Sequence, residues 1–503
     1  MMLRPLFAVC RRFALALAVP LAGAAQQAPP ATKPKPAPSR PANAATTTTS
    51  AQANGNKAVA ANLQRTTLEK VIKRNVLPNG LEVIVVENHG VPLATVEVDV
   101  RNGSMTQTPE YAGLAHMFEH MMFKANTQYP QVDEYAQRIG GLGATYNAST
   151  LEEQVYYYAT VPSDSLAPAM NVLAAAFLGP LFKEEELARE KQVVIGEFDR
   201  QESNPFFSLQ REMGKKLWGD QWSRKNLIGE RSVILGVTPE KMRTIQREYY
   251  VPNNSALIVT GDVQPDKVFA LAQQAFGGWQ RGPDPFQTDP IPEITPLTES
   301  QGVIIEQPVS TVAVLMQWQG PSVVKDPQST YAADVFSDVM NQDGSGFQRR
   351  LVDSGLWHSV LVNYYTLNHT GPITISGETT PDKLRPALAA LEAEIAKFDQ
   401  PGYFSAEELE PVKQQRIVGT ALGLERSSGF AHELGFWWCV SNLDYYLGYV
   451  DNMARQTPGD LRAYVKKYIV GKPHVSGLLI APEARQQLGI TVDELVRPVK
   501  STS

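Results

Sequence analysis

Residues 238–263 read TPEKMRTIQREYYVPNNSALIVTGDV, and residues 457–482 read TPGDLRAYVKKYIVGKPHVSGLLIAP. Each segment opens Thr-Pro, the composition of a helix start, with Thr as the cap and Pro in the first turn. Each keeps Arg at the sixth position (Arg243, Arg462) and Tyr at the twelfth (Tyr249, Tyr468), and each closes on an apolar, strand-like run. Their offset is 219 residues. Upstream, FKEEELAREKQVVIGE from Phe182 matches FSAEELEPVKQQRIVG from Phe404 at an offset of 222. Two segments in register predict a duplicated α+β domain of about 210 residues, far longer than a solenoid repeat.

The join falls at RGPDPFQTDPIPEITPLTES, from Arg281, whose prolines cannot continue a helix or a central strand. This places the first copy at residues 67–281, a linker at 282–300, the second copy at 301–490 and a tail at 491–503. The first copy opens LPNGLEVIVVENHGVPLATVEVDVRNGS. Its turn Pro78-Asn79-Gly80 and the runs LEVIVVE and LATVEVDV predict a hairpin, followed by a helix over 113–123.

Residues 1–66 do not read as globular. Arg4, Arg11 and Arg12 precede the apolar run FALALAVPLAGAA, and Ala22-Gly23-Ala24 offers small residues for cleavage. Residues 1–25 thus have the layout of a secretory signal peptide, with an apolar run too short for a stable membrane span. Export to a bacterial periplasm is the reading. A mitochondrial presequence is the rival, but its apolar residues would not be contiguous, and Ser is absent here before Ser39. Residues 26–66 are Ala, Pro and Thr without periodicity, a disordered tether.

That leader holds eight of the 46 basic residues and none of the 52 acids, so the remainder carries a net charge of −14. Such a body repels nucleic acid and anionic membrane, and its cavities favour cationic peptides. Cys10 lies in the leader and Cys439 in the aromatic run FWWCV, so neither a disulfide framework nor a cysteine zinc site can form.

Residues 116–120 read HMFEH. On a helix, His116, Glu119 and His120 project from one face, and two imidazoles one turn apart can share a zinc ion. The carboxylate between them then lies beside a metal-bound water. The bland alternative is an amphipathic core helix whose polar residues satisfy backbone groups. A third ligand is offered by the helical segment EEELAREKQVVIGEFDRQESNP, where Glu190 and Glu197 stand seven residues apart on nearly one face. In the second copy Glu190 aligns with Val412 and Glu197 with Gly419, and the helix near YAADVFSDVMN has no His-x-x-Glu-His. The polar residues are therefore confined to one copy of a shared scaffold.

His-x-x-Glu-His followed by Glu197 after 76 residues resembles the signature of the pitrilysin–insulinase family, the inverted zincins. The resemblance covers nearly all of 67–490, including LPNGL, GLAHMFEHMMFK, GGLGATYNASTLEEQVYY and YYVPNNSALIVTGDV. Size and duplication look most like the mitochondrial processing peptidase subunits and their short bacterial relatives. The resemblance implies an α+β fold of two homologous domains, each a mostly antiparallel sheet packed with helices, arranged as a clam shell around a chamber. It implies one Zn2+ held by His116, His120 and Glu197, with Glu119 as general base and Glu190 in support. The Gly-rich turn and strand from Gly140 would pair with an extended peptide, with Asn147 and Ala148 touching its backbone.

The second copy departs from the family pattern. Relatives carry an Arg and a Tyr seven apart that hold substrate and oxyanion. In GSGFQRRLVDSGLWHSV those positions hold Leu351 and His358, or, one residue earlier, Arg350 and Trp357. Tyr364 and Tyr365 lie nearby. Arg350 and His358 are the candidates, and a homo- or heterodimer with a related chain supplying the Arg/Tyr pair is the expected assembly. The function implied is a zinc-dependent endopeptidase for unfolded peptides or small proteins. The alternatives are a non-catalytic subunit of a processing or scaffold complex, or a peptide-binding protein.

Overall fold

The computed structural model describes residues 63–496. The expected signal peptide at 1–25, most of the 26–66 tether and the end of the 491–503 tail lie outside the described residues. Helix begins at Arg65 (Arg65–Val71), and the final described helix is Val492–Val496, with Leu495 buried.

The first half is built on β1 (Ile72–Val76), β2 (Glu82–Glu87), β3 (Leu93–Val100), β4 (Thr145–Thr150), β5 (Val155–Pro162) and β6 (Ser255–Gly261). The second half uses β7 (Gln301–Glu306), β8 (Val312–Gln319), β9 (Ser359–Tyr364), β10 (Pro372–Thr379) and β11 (Val475–Ile480). The sheet orders are β1-β2-β6-β3-β5-β4 and β7-β11-β8-β10-β9. Without β1 they are one topology written twice, including the single parallel pair of each sheet, β2 with β6 and β7 with β11. The chain is α+β and two-domained, as the duplicated sequence predicts.

Two local expectations change. LEVIVVE and LATVEVDV do not form a hairpin, because β6 lies between β2 and β3. The hairpin built on Pro78-Asn79-Gly80 joins β1 to β2 instead, with Gly80 at φ +95° where a side chain would be strained. Strand β6 arrives from more than 150 residues downstream, so no local pattern announces it. Likewise TYNASTLEEQVYY is two antiparallel strands, β4 and β5, joined at residues 151–154.

The halves are interlocked by an exchange. Helix Pro205–Trp218, from the first half, lays Leu209, Met213 and Leu217 on β11 and β7 of the second sheet. Its counterpart 222 residues on, Ser427–Val440, lies across β3 and β6 of the first sheet, where the Ser427 carbonyl accepts from Thr260 Oγ1 at 2.6 Å and His432 pairs with Glu97. The close approach needs Gly477 and Gly435, since a Cβ there would fall 2.2 Å from Met213 Sδ and from Asp99 Oδ1 respectively. Each sheet is thus buried on both faces. The other face of the first sheet, with Val83, Val85, Val96 and Val98, packs its own helices, among them Leu114–Met121 and Leu166–Leu178. Among the described residues, no helix is long and apolar enough to cross a membrane.

Candidate metal centre

The motif helix, Leu114–Met121, forms because its apolar positions share one face. Leu114, Met117, Phe118 and Met121 are buried in the first core, leaving His116, Glu119 and His120 toward the remaining side. Gly113 starts it at φ +90°, a conformation open to glycine, and a Cβ there would sit 2.7 Å from the Ile228 carbonyl. Gln107 Oε1 accepts from the N–H groups of Gly113 (2.9 Å) and Ala115 (3.3 Å), satisfying donors the helix itself cannot.

The long helix, Glu184–Glu202, packs across the motif helix through Leu187, Val194 and Phe198, which brings Glu190 and Glu197 to it. Three ligand atoms converge. His116 Nε2 and His120 Nε2 are 3.3 Å apart, and Glu197 Oε2 is 3.5 Å from the first and 3.8 Å from the second. Ligands about 2.0–2.1 Å from one tetrahedral zinc stand about 3.3 Å apart, so the triangle already has the size of one face of a zinc coordination shell. His116 and Glu197 are only 5% and 8% exposed, and Glu197 Oε2 is a buried oxygen with no hydrogen-bond donor among the described residues. Among the described residues, this trio is the one His/Cys/Asp/Glu group assembled for a metal.

Electrostatics agree. Burial, then the neighbouring His120, push His116 down to about 3, so it stays a neutral ligand. Burial opposes a charge on His120, but Glu190, Glu119 and Glu197 outweigh it and raise its pKa. Burial raises Glu119 and Glu197 above the ordinary carboxylate range. Three carboxylates crowd two imidazoles, with Lys124 the cation paired to Glu190, so the centre is short of positive charge.

The sequence places Glu190 in support but does not announce its partner Lys124, nor Thr150 beside Glu119. Glu190 Oε2 takes the Nδ1 side of His120 at 3.1 Å, which fixes Nε2 toward the triangle, and Lys124 Nζ holds Glu190 Oε1 at 2.6 Å. Burial works to raise Glu190, yet His120 and Lys124 win and keep it ionised below the usual range. Lys124 lies four residues after His120 but past the helix end at Met121, so helical spacing does not announce it. Thr150 Oγ1 donates to Glu119 Oε2 at 2.6 Å.

Strand β4 is the edge of its sheet, so the strand carrying Asn147 and Ala148 has one side open to pairing. Asn147 is half-buried, while the Ala148 side chain enters the core, leaving only its backbone for a peptide. Arg350 and His358 are not brought to this cluster. Arg350 bonds Glu394 at 2.8 Å and lies over Tyr403, and His358 is an exposed residue beside the start of β9 on the other sheet. Tyr364 donates its hydroxyl to the Pro321 carbonyl at 2.9 Å.

Comparison with known proteins extends these findings. The chain is 26% identical over 361 residues to an uncharacterized zinc protease of Bacillus subtilis, covering 71% of this chain and 86% of that one. It is 25% identical over 365 residues to an uncharacterized zinc protease of Rickettsia felis, covering 71% and 85%. In fold it is similar to a protease from Helicobacter pylori (TM-score 0.73, 21% identity, 81% of this chain and 99% of that one). It is also similar to the periplasmic protease PqqL from Escherichia coli (TM-score 0.72, 18% identity), covering 86% of this chain but 50% of that one. Residues 236–416 match the peptidase M16 inactive domain, in keeping with a second copy that lacks the motif. Residues 82–230 match the insulinase model, and since the two matches together span more than half of the chain, it belongs to the insulinase family of peptidases, family M16.

Proposed function

We propose that this chain is a zinc-dependent endopeptidase of unfolded peptides or small proteins, exported to the periplasm and working with a second family chain. The observation that carries the reading is the convergence of His116 and His120 from the motif helix with Glu197 from the long helix, beside Glu119. When bound, zinc supplies Lewis acidity, activating a water near neutral pH and polarising a carbonyl. His116 stays neutral by burial, and His120 is aimed by Glu190, so both offer Nε2 without rearrangement. Glu119 takes the proton released at the nucleophile and returns it to the leaving amine. Burial raises Glu119, which suits a group that must both accept and donate near neutrality. An extended peptide would add to the open side of β4, where main-chain pairing tolerates varied side chains. The retained ligand set is the reason to prefer an enzyme over a peptide-binding or scaffold subunit.

Among the described residues, the oxyanion donor is the element not assembled at the cluster, because Arg350 is held by Glu394. One likeness supports this gap being filled from outside: the chain spans half of the E. coli PqqL protease, leaving room for a related chain in the position of the other half. That chain, a second copy or a homologue, would supply the Arg/Tyr pair and close the chamber. Cleavage by this chain as a demonstrated monomer would overturn the partner. The leader and the periplasmic relative support export, and N-terminal sequencing of the mature protein tests it.

Glu119→Gln tests the chemistry. Zinc content by metal analysis should be unchanged while peptide cleavage falls by at least about 100-fold. Wild-type turnover in that variant, or cleavage insensitive to a zinc chelator, would refute the mechanism.

A further inference from the structure

We infer that Thr150 is a positioning residue for Glu119, fixing one oxygen of the base from the tip of the peptide-binding strand, and that the second half of the chain anchors that tip. The inference rests on Glu119 being the general base.

Thr150 closes β4 and is 4% exposed. Its 2.6 Å bond to Glu119 Oε2 has the length of a hydroxyl donating to an anionic oxygen, among the stronger hydrogen bonds available. A glutamate has three side-chain torsions, and a free one would sample orientations that do not face the nucleophile. Anchoring Oε2 leaves Oε1 as the oxygen that handles the proton. Threonine suits the task because a β-branched side chain in a strand is stiff at its first torsion, so its hydroxyl does not wander.

An anchor is useful only if it is itself fixed. The turn after Thr150 is closed by Leu151 N–H to the Gln154 carbonyl at 2.7 Å, and Met105 N–H reaches the Glu152 carbonyl at 2.9 Å. The second half grips the same turn. Glu153, almost fully buried, accepts from the N–H groups of Asn368 (2.6 Å) and His369 (2.8 Å). Lys225 of the first half answers by donating to the carbonyls of His369 (3.3 Å) and Thr370 (2.8 Å). A loop of the half without metal ligands thus holds the hairpin that carries Asn147, Ala148 and Thr150. Peptide docking and base orientation reside on one rigid element.

The test uses Thr150→Val, which keeps shape and strand propensity but removes the hydroxyl, and Thr150→Ser, which restores it, with Glu119→Gln as control. On a fluorogenic peptide, Thr150→Val should lower kcat about 10- to 100-fold with KM within about twofold. Zinc content and melting temperature should match wild type. Thr150→Ser should recover kcat to within about threefold. Wild-type kcat in Thr150→Val, a loss confined to KM or accompanied by lost zinc, or failure of serine to rescue would each overturn the positioning role. Wild-type turnover in Glu119→Gln would instead overturn the base assignment itself.

Discussion

Replacing Glu190 with alanine should weaken zinc binding without abolishing it. Glu190 touches the metal cluster only through His120 Nδ1, at 3.1 Å, while Lys124 Nζ holds its other oxygen at 2.6 Å. Removing a carboxylate that orients a ligating imidazole costs about 10- to 100-fold in metal affinity. At about 1.36 kcal/mol per decade this is about 1.4–2.7 kcal/mol. The loss should lie in the lower half of that range, because Lys124 is 26% exposed and can turn its orphaned ammonium to water. Glu190→Gln should cost less still, since an amide oxygen can accept from Nδ1–H although the charge is gone. The assay is competition for zinc between the metal-free protein and a chromogenic chelator at pH 7.5. Adding Lys124→Met to each variant tells how much of the effect passes through the lysine. An affinity for Glu190→Ala within about twofold of wild type would refute the orienting role, given the expected range. Complete loss of zinc would refute it from the other side, by making Glu190 a ligand.

Further outcomes concern the scaffold. Burial would raise Asp326, but Lys467 and Tyr468, each at 2.6 Å, hold it down to about 2. Asp326→Asn keeps a helix cap but loses the charge, so urea unfolding at pH 7 should show about 1 kcal/mol less stability. A depressed folded pKa means that this contribution is present above the ordinary value of 3.8 and fades as pH falls toward about 2. The gap between variant and wild type should therefore narrow below pH 3.8, and a gap independent of pH would contradict the assignment. Gly113→Ala should cost about 1–3 kcal/mol, since it forces a side chain into a left-handed backbone. It also brings a Cβ within 2.7 Å of the Ile228 carbonyl, so lowered melting temperature and lowered zinc content should appear together.

Features encoded locally, or encoded twice, are legible in the amino-acid sequence. His116, Glu119 and His120 are legible because helical periodicity alone puts them on one face. Glu197 is legible because its absence at Gly419 sets it apart from scaffold. The strand order is not, because β6 separates β2 from β3 through a pairing of more than 150 residues' separation that leaves no mark on either strand. Arg350 looks like a substrate contact from its position in a motif. Only the tertiary fold brings Glu394 and Tyr403 to it. Thr150 and Glu153 carry no signal for the same reason, since one partner lies 31 residues away and the other lies 215 and 216 away, in the opposite half.

The second copy explains why only one half offers a docking edge. Ala125 N–H reaches Glu186 at 3.3 Å, and Gly346 N–H reaches Glu408 at 3.2 Å, so the two copies are in structural register here. Five residues before Ala125 lies His120, and five before Gly346 lies Asn341. Where His120 offers Nε2 to the metal cluster, Asn341 turns to the sheet edge. Its Nδ2 donates to the Val362 carbonyl at 2.7 Å, and its Oδ1 accepts from the Val362 N–H at 2.8 Å. Those are the two bonds an added strand would make to β9 at that residue, so the amide closes the edge on which a peptide could otherwise align. With Val412 and Gly419 in place of Glu190 and Glu197, the second copy has lost its ligands and closed its edge together. What it retains is the crossing helix under the first sheet and the loop that grips Glu153. Its selection would then act on holding the first half in shape, so substitutions at Asn368–Thr370 should alter turnover although none of them touches the metal ligands.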